Sequence, residues 1–402
     1  MHLTGEFPSY IDALFETISG FTTTGSSILS DVEKLSRGTA FWRCFTHWIG
    51  GMGVLVFIMA VMPLSDSSSM HLMRAESPGP AVGKLVPKVK TTAMILYGIY
   101  VVFTVIEIIA LLIAGMPLFD SMTLTFGTVG TGGFGLLNSS IASYSTAVQI
   151  IITVFMIICS INFTVYYMFL IKRPKEALMC EEMRYYLLIV FGSALLIAFN
   201  IRASFASFGK AFQQAIFQVA SVISTTGFAT ADFNLWPEFS RMILVLLMFV
   251  GACAGSTGGG FKVSRLIIMV KSVRNEIMSV THPRSVQKVH MDGRRIPDNV
   301  VKTVLCYLAG YVVILIVSVL LISLDNFDMT TNFTAVMATF NNVGPGLNRV
   351  GPTGNFGGFS VLSKLVLMFD MLVGRLELYP MLVIFAPGLW RIHPHRHVGK
   401  VQ

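Results

Sequence analysis

Ser224-Thr225-Thr226-Gly227-Phe228 lies between an apolar run, 215–223, and a polar turn, 230–234. Its signature, a small residue followed by two threonines and a glycine, has relatives at Thr22-Thr23-Thr24-Gly25, Gly130-Thr131-Gly132-Gly133 and Asn341-Asn342-Val343-Gly344. The spacing points to an internal repeat with a period of roughly 100 residues. Each signature follows an amphipathic stretch of about three helical turns and precedes a long apolar segment. That arrangement can hold bare backbone partway across a membrane, where irregular chain survives only if it lines water or is buried in protein. Glycine opens backbone angles closed to other residues, and small or hydroxylated neighbours leave carbonyls free to converge. A ring of such carbonyls replaces the water around a cation.

Composition sets the class. The chain is 54% hydrophobic and 12% charged, with a mean hydropathy of +0.71. Soluble domains carry about 25% charged residues, so this is an integral membrane protein. Apolar segments long enough to cross run over 41–64, 91–114, 147–171, 185–201, 300–324 and 359–390, and a seventh, 241–269, is broken by glycines. They are continuously apolar rather than alternating, which excludes a barrel and predicts an all-α helical bundle in the lipid bilayer. The net charge of +8 does not imply nucleic acid, because the basic residues gather beside helix ends and form no groove. Cys44, Cys159, Cys180, Cys253 and Cys306 are scattered without paired spacing and read as small buried residues, not a disulfide frame.

Basic connectors follow each inner apolar segment. The first holds Arg74, Lys84, Lys88 and Lys90, the second Lys172, Arg173, Lys175 and Arg184, and the third runs from Lys262 to Lys302; Arg391, Arg396 and Lys400 close the chain. The positive-inside rule puts these ends in the cytoplasm and the glycine turns nearer the outside. Every unit then reads as outer helix, half-helix, glycine turn, inner helix, in one orientation, so four turns are expected to meet around a central pore. Inverted repeats would alternate the basic loops between sides. The expected division is 1–64, 65–171, 172–290 with an intramembrane loop, and 291–402 with a cytoplasmic tail. The first unit lacks an outer helix, so the chain is expected to begin inside a longer protein. There is no signal peptide pattern.

Several motifs compete with bland readings. Gly130 to Gly135 spells G-x-G-x-x-G, but a half-helix precedes it and no acid follows before Glu176, so it is not a dinucleotide site. Gly255-Ser256-Thr257-Gly258-Gly259-Gly260-Phe261-Lys262 misses the P-loop pattern because Phe261 stands where lysine is needed. The run 252–260 does break an apolar helix, and only in the third inner segment; a gate and a passive packing kink both fit it. Gly50-Gly51-Met52-Gly53 permits close helix approach or merely reflects the frequency of glycine in membrane helices. Arg375, deep in 359–390, is expected to face the pore rather than pair with Glu377, and to act separately from the glycine-rich loop. Glu107 and Asp370 are given no role. Lys262, Arg265, Lys271 and Arg274 continue the broken helix inward, where they either dock a regulatory protein or only fix topology. His393, His395 and His397 are a weak metal signal. No nucleophile with an adjacent base is apparent, so enzyme activity is not expected.

The four signatures, with Phe134 and Phe228, Pro345-Gly346 after Gly344, and Ala254-Gly255-Ser256-Thr257-Gly258-Gly259-Gly260 between the last two, resemble the membrane subunit of Trk-type potassium uptake systems, the TrkH/KtrB family. The likeness covers essentially the whole chain. Asn341-Asn342-Val343-Gly344-Pro345-Gly346 and His282-Pro283 look more like the TrkH branch. The resemblance implies a multi-pass protein of the bacterial inner membrane, a homodimer with one potassium pathway per protomer, and a cytosolic ring of nucleotide-binding, TrkA-like regulatory subunits. It implies potassium as the transported ion with no cofactor in the chain, filter glycines at Gly25, Gly133, Gly227 and Gly344, a gating loop at 254–260 and a pore-obstructing Arg375. Family members have a complete first outer helix, preceded in the TrkH branch by two more. The competing class is a non-conducting assembly or sensor component that keeps the pore scaffold; four intact turns argue against it.

Overall fold

The computed structural model describes residues 1–7, 9–53, 89–282 and 287–384, which are mostly helical. In chain order the helices are α1 (Tyr10–Phe21), α2 (Arg37–Gly51), α3 (Val89–Ile113), α4 (Leu118–Val129), α5 (Thr146–Cys159), α6 (Phe163–Leu170), α7 (Pro174–Leu178), α8 (Glu181–Ile201), α9 (Phe208–Ile223), α10 (Glu238–Val250), α11 (Val263–Thr281), α12 (Asp298–Ile322), α13 (Met329–Phe340), α14 (Val361–Leu376) and α15 (Leu378–Ile384). A small antiparallel hairpin, β1 (His290–Met291) and β2 (Arg294–Arg295), separates α11 from α12.

Among the described residues, three helical spans are long and apolar enough to cross a membrane: Ala93–Ile113, Glu181–Ser204 and Asp298–Asp325, built on α3, α8 and α12. The protein buries only 28%, 28% and 22% of their most apolar windows, so most of this surface is left for lipid. The short helices α1, α4, α9 and α13 lie deeper. Residues 123–129, 217–223 and 334–340 are buried all round, as expected of helices at the centre of a bundle. With 12, 12, 16 and 12 residues they fall short of the length of about 20 that crosses a bilayer. Serine or aspartate caps start several of them: Ser9 accepts from the Asp12 N–H, Ser207 from Lys210 and Asp328 from Thr331.

The inner helices depart from expectation. The segment 147–171 is not one span, since α5 and α6 meet at a bend of 88°. Its break carries no glycine run. Instead the Cys253 N–H donates to the Ser160 carbonyl at 3.0 Å, and the Phe163 N–H donates to Gly255 at 3.0 Å. Asn162 caps α6 by accepting from the Thr164 N–H at 2.9 Å. The break expected in the third inner segment, between α10 and α11, thus supplies partners for backbone groups released in the second. The fourth also breaks, at Glu377 with φ 70°, between α14 and α15. Interruption is therefore not confined to the third segment. Residues 54–64 and 385–390 of the expected spans lie outside the described residues, as do Arg74, Lys84, Lys88, Pro283, Arg284 and the tail with Arg391, His393, His395, Arg396, His397 and Lys400.

Candidate functional site

Each of α1, α4, α9 and α13 ends in the same turn. Past the caps Thr22, Gly130, Ser224 and Asn341, the next residue reaches back three positions: Thr23 to Gly20 at 3.1 Å, Thr131 to Thr128 at 3.0 Å, Thr225 to Val222 at 3.1 Å and Asn342 to Thr339 at 3.2 Å. The residue after it reaches back five: Thr24 to Ser19 at 2.9 Å, Gly132 to Gly127 at 2.8 Å, Thr226 to Ser221 at 2.9 Å and Val343 to Ala338 at 2.8 Å. This is the Schellman pattern, whose left-handed position normally holds glycine or asparagine. Here three threonines take it, with φ of 54° at Thr23, 53° at Thr131 and 59° at Thr225, and Asn342 follows with 55°. Left-handed β-branched residues are strained by about 1–3 kcal/mol each and persist where the surroundings dictate them.

The glycine two residues further on has positive φ in every turn: 78° at Gly25, 80° at Gly133, 84° at Gly227 and 96° at Gly344. The close approach excludes any side chain. A Cβ on Gly25 would strike the Gly132 carbonyl, one on Gly133 the Thr226 carbonyl, one on Gly227 the Val343 carbonyl and one on Gly344 the Thr24 carbonyl. The contacts run from first turn to second, third, fourth and back to the first, closing a cycle. The Ser26 hydroxyl donates to the Gly344 carbonyl at 3.1 Å and the Asn342 amide to the Thr24 hydroxyl at 2.9 Å, adding two bonds across the closing step. All four glycines line one cavity of about 160 Å³, together with Ser26, Arg43 and Asn138.

On the other side of the turns lies the segment 251–262. A Cβ on Gly258 would meet the Ser224 carbonyl at 2.7 Å and one on Gly259 the Asn341 carbonyl at 2.6 Å. The Thr225 hydroxyl accepts the Gly259 N–H at 2.6 Å, and the Thr131 hydroxyl donates to the Thr257 carbonyl at 2.8 Å. Two of the strained threonines therefore grip this strap. Thr257 is bound to the second inner segment as well, its N–H and hydroxyl donating to the Cys159 carbonyl at 3.4 and 3.1 Å. Ala254, Gly255 and Ser256 form the near limb, where the Ser256 hydroxyl donates to Cys253 at 2.6 Å. A Cβ on Gly260, where φ is 80°, would meet the Cα of Gly251 at 2.6 Å. The Lys262 ammonium donates to the Gly258 carbonyl inside the strap.

Arg375 sits in the last turn of α14. It donates to the Thr257 carbonyl at 2.8 Å and to the Gly50 and Gly51 carbonyls at 2.5 and 2.8 Å, joining the strap to the end of α2. The arginine and the strap are thus in direct contact, against the expectation that they act separately. Glu377 does not supply the bland pairing, because it accepts from Arg265 at 2.5 and 2.6 Å. That ion pair also corrects the reading of the cytoplasmic cations. Lys262 and Arg265 are buried and committed internally, Arg265 also lying 3.9 Å over the Tyr307 ring, and Lys271 pairs with Glu181. Only Arg274 of those four is exposed. Asp370 accepts from the Ser318 hydroxyl at 2.7 Å, a helix-to-helix bond.

Three functional-looking residues escaped the sequence reading. Glu16 of α1 and Arg43 of α2 form a fully buried pair, with Nε to Oε1 at 2.8 Å, and the guanidinium lies 3.9 Å over the Phe134 ring of the second turn. Glu16 also accepts from the Ser27 hydroxyl at 2.9 Å and the Ile28 N–H at 3.2 Å, which fixes the chain just after Gly25. The His47 ring lies where a Cβ on Gly132 would be, with Nδ1 2.9 Å from the Gly20 carbonyl. The available signal was Arg43 itself, a charge inside the apolar segment 41–64. Outside the membrane-spanning segments, Asp31 is held below the usual carboxylate range by Asn138 and then Lys34, and Asp328 by Thr331. Among the described residues no cluster of His, Cys, Asp and Glu could hold a metal ion.

Comparison with known proteins gives a consistent picture. The model of the TrkH family, cation transport proteins, matches residues 2–392. The Trk system potassium uptake protein TrkH of Salmonella typhimurium is 36% identical over 388 residues, 94% of this chain and 79% of that protein. The Trk system potassium uptake protein TrkG of Escherichia coli is 32% identical over 387 residues, covering 95% and 79%. The crystal structure of the potassium transporter TrkH from Vibrio parahaemolyticus superposes with a TM-score of 0.84 at 33% identity, over 95% of this chain and 80% of that one.

Proposed function

This chain belongs to the TrkH family of cation transport proteins, and from that membership we propose that it takes up potassium across the inner membrane through the ring formed by its four glycine turns. It is a membrane transporter and not an enzyme. The observation that carries the reading is the cycle of contacts in which each glycine abuts the carbonyl of the next turn. In this proposal the four units 1–64, 65–171, 172–290 and 291–402 are related by pseudo-fourfold repetition about the pore. The carbonyls around Thr22 to Gly25, Gly130 to Gly133, Ser224 to Gly227 and Asn341 to Gly344 replace the hydration shell of potassium, the transported substrate.

The strap 254–260 is then the gate, closed beneath the ring. Two cations reinforce it, Arg375 through the Thr257 carbonyl and Lys262 through that of Gly258. Two unit charges about 6 Å apart repel by roughly 3 kcal/mol at an effective dielectric near 20, so a potassium ion below the ring meets a barrier as well as an obstruction. The proposal includes a homodimer and a cytosolic, nucleotide-binding regulatory subunit that releases the strap.

The test is potassium-dependent growth of an uptake-deficient host, paired with ion flux from purified protein. Gly227→Ser places a side chain against the Val343 carbonyl. Growth at low potassium is expected to fail and preference for potassium over sodium to weaken. Unchanged ion preference in single substitutions at all four glycines overturns the filter assignment.

A further inference from the structure

The strap is held at both ends by one oxygen. Glu182, in the first turn of α8, is buried, at 3% exposure. Its Oε1 accepts the Ala254 N–H at 2.7 Å and the Ser264 N–H at 3.0 Å. Those two donors flank the strap, one where it leaves the inner segment and one where α11 begins, so a single carboxylate oxygen pins both limbs to a different helix. Charge-assisted bonds of this kind are about twice as strong as neutral ones, and they count most where water is excluded. The Ser264 N–H belongs to the first turn of α11, where a helix leaves donors without intrahelical partners and favours negative charge.

The turn carrying Glu182 is itself gripped from the opposite side. The Glu181 N–H donates to Asp292 of the β1–β2 hairpin at 2.7 Å, and Lys271 of α11 joins the Glu181 carboxylate to the His290 carbonyl. Strap, outer helix and hairpin therefore meet within two consecutive residues. We propose that Glu182 is the positioning residue that keeps the strap shut, and that displacement of the first turn of α8 by way of the hairpin is what frees both limbs together. A partner acting on the hairpin would need no contact with the strap. The proposal rests on the reading of 254–260 as the gate and identifies what holds it.

The test uses the full chain in liposomes without any partner and reads rubidium influx and potassium over sodium preference for Glu182→Ala, Glu182→Gln, a chain shortened by Gly258-Gly259-Gly260, and that shortened chain with each of the two Glu182 substitutions. Glu182→Ala is expected to raise influx at least about tenfold, from the loss of two bonds to a charged group, with ion preference unchanged. Glu182→Gln, which keeps an acceptor oxygen but not the charge, falls between. In the shortened chain Glu182→Ala adds nothing, because the residues that remain of the strap no longer reach beneath the ring. Influx unaltered by both Glu182 substitutions, or an equal factor in both backgrounds, overturns the clamp while leaving the gate intact. A shortened chain no faster than the parent removes the gate reading and the clamp with it. If Glu182→Ala is not recovered folded, the Glu182→Gln arm in both backgrounds decides by the same rule.

Discussion

Arg375 donates to the Thr257 carbonyl at 2.8 Å, and the Thr131 hydroxyl reaches the same oxygen at the same distance. One strap carbonyl thus binds an inner helix and a turn of the ring. Arg375→Ala removes both a repelling charge and this tie, so it is expected to raise partner-free flux. Because the tie acts through the strap, combining it with deletion of Gly258-Gly259-Gly260 gives less than the product of the separate effects. The shortfall expected for groups in contact is about 0.5–3 kcal/mol, read from a four-variant flux cycle. A full product would mean that the arginine acts by charge alone.

Glu16 and Arg43 form an ion pair at 2.6 Å whose side chains are almost wholly buried. Removing one partner of a buried pair costs about 3–5 kcal/mol, whereas replacing both by apolar residues of similar size is often neutral. Glu16→Leu alone should lower the melting temperature in detergent sharply, and Glu16→Leu with Arg43→Met should restore much of it. Flux through the doubly substituted protein reports whether the charge beside the cavity matters to the ion; equal melting of single and double variants would dismiss the pairing.

The parts legible in advance were those with a local cause. Gly25, Gly133, Gly227 and Gly344 stand out because nothing larger fits against a neighbouring carbonyl, and 252–260 because glycines cannot sustain a helix. The bend between α5 and α6 has no such local mark. Ser160, Ile161 and Asn162 are tolerable within a helix, and the break is held by donors and acceptors that arrive from Cys253, Gly255 and Thr257, far away in the sequence. Glu16 was hidden differently: an acid in an amphipathic stretch reads as a solvated face until Arg43 is brought beside it. The left-handed threonines were invisible because propensity argues against them; contacts with the strap account for Thr131 and Thr225, and nothing in the structure explains Thr23.

Asp328 caps α13 through the Thr331 N–H at 2.9 Å and hydroxyl at 2.5 Å, and accepts from Asn348 at 2.8 Å. These bonds, the Thr331 hydroxyl foremost, hold its carboxyl below its ordinary value of 3.8. A depressed folded value means that the cap's contribution is complete above the ordinary value and is lost only as pH falls through the lower one. Acidification from neutrality to about pH 5 should therefore leave this cap intact. Asp328→Ala is expected to cost about 1 kcal/mol at neutral pH, and Asp328→Asn much less. Thermal melting across pH checks both; a loss appearing already near pH 6 would place the responsible group elsewhere.

Thr225 separates strain from adhesion. Its backbone is left-handed at φ 59°, and its hydroxyl accepts the Gly259 N–H at 2.6 Å, so one residue both bears a local penalty and holds the strap. Thr225→Val keeps the branched shape and the strain but removes the acceptor, leaving a buried N–H unpaired at about 1–3 kcal/mol. Thr225→Gly removes the acceptor and relieves the strain, and Thr225→Ser keeps the acceptor. If the hydroxyl serves the strap, partner-free flux rises in the valine and glycine variants and stays at the parent level in serine. Melting temperature should order differently, with valine lowest and glycine partly compensated by its freedom at positive φ. Flux that tracks melting temperature across the three would assign Thr225 to the shape of the turn. Flux that tracks the hydroxyl, whatever the stability, assigns it to closure of the strap.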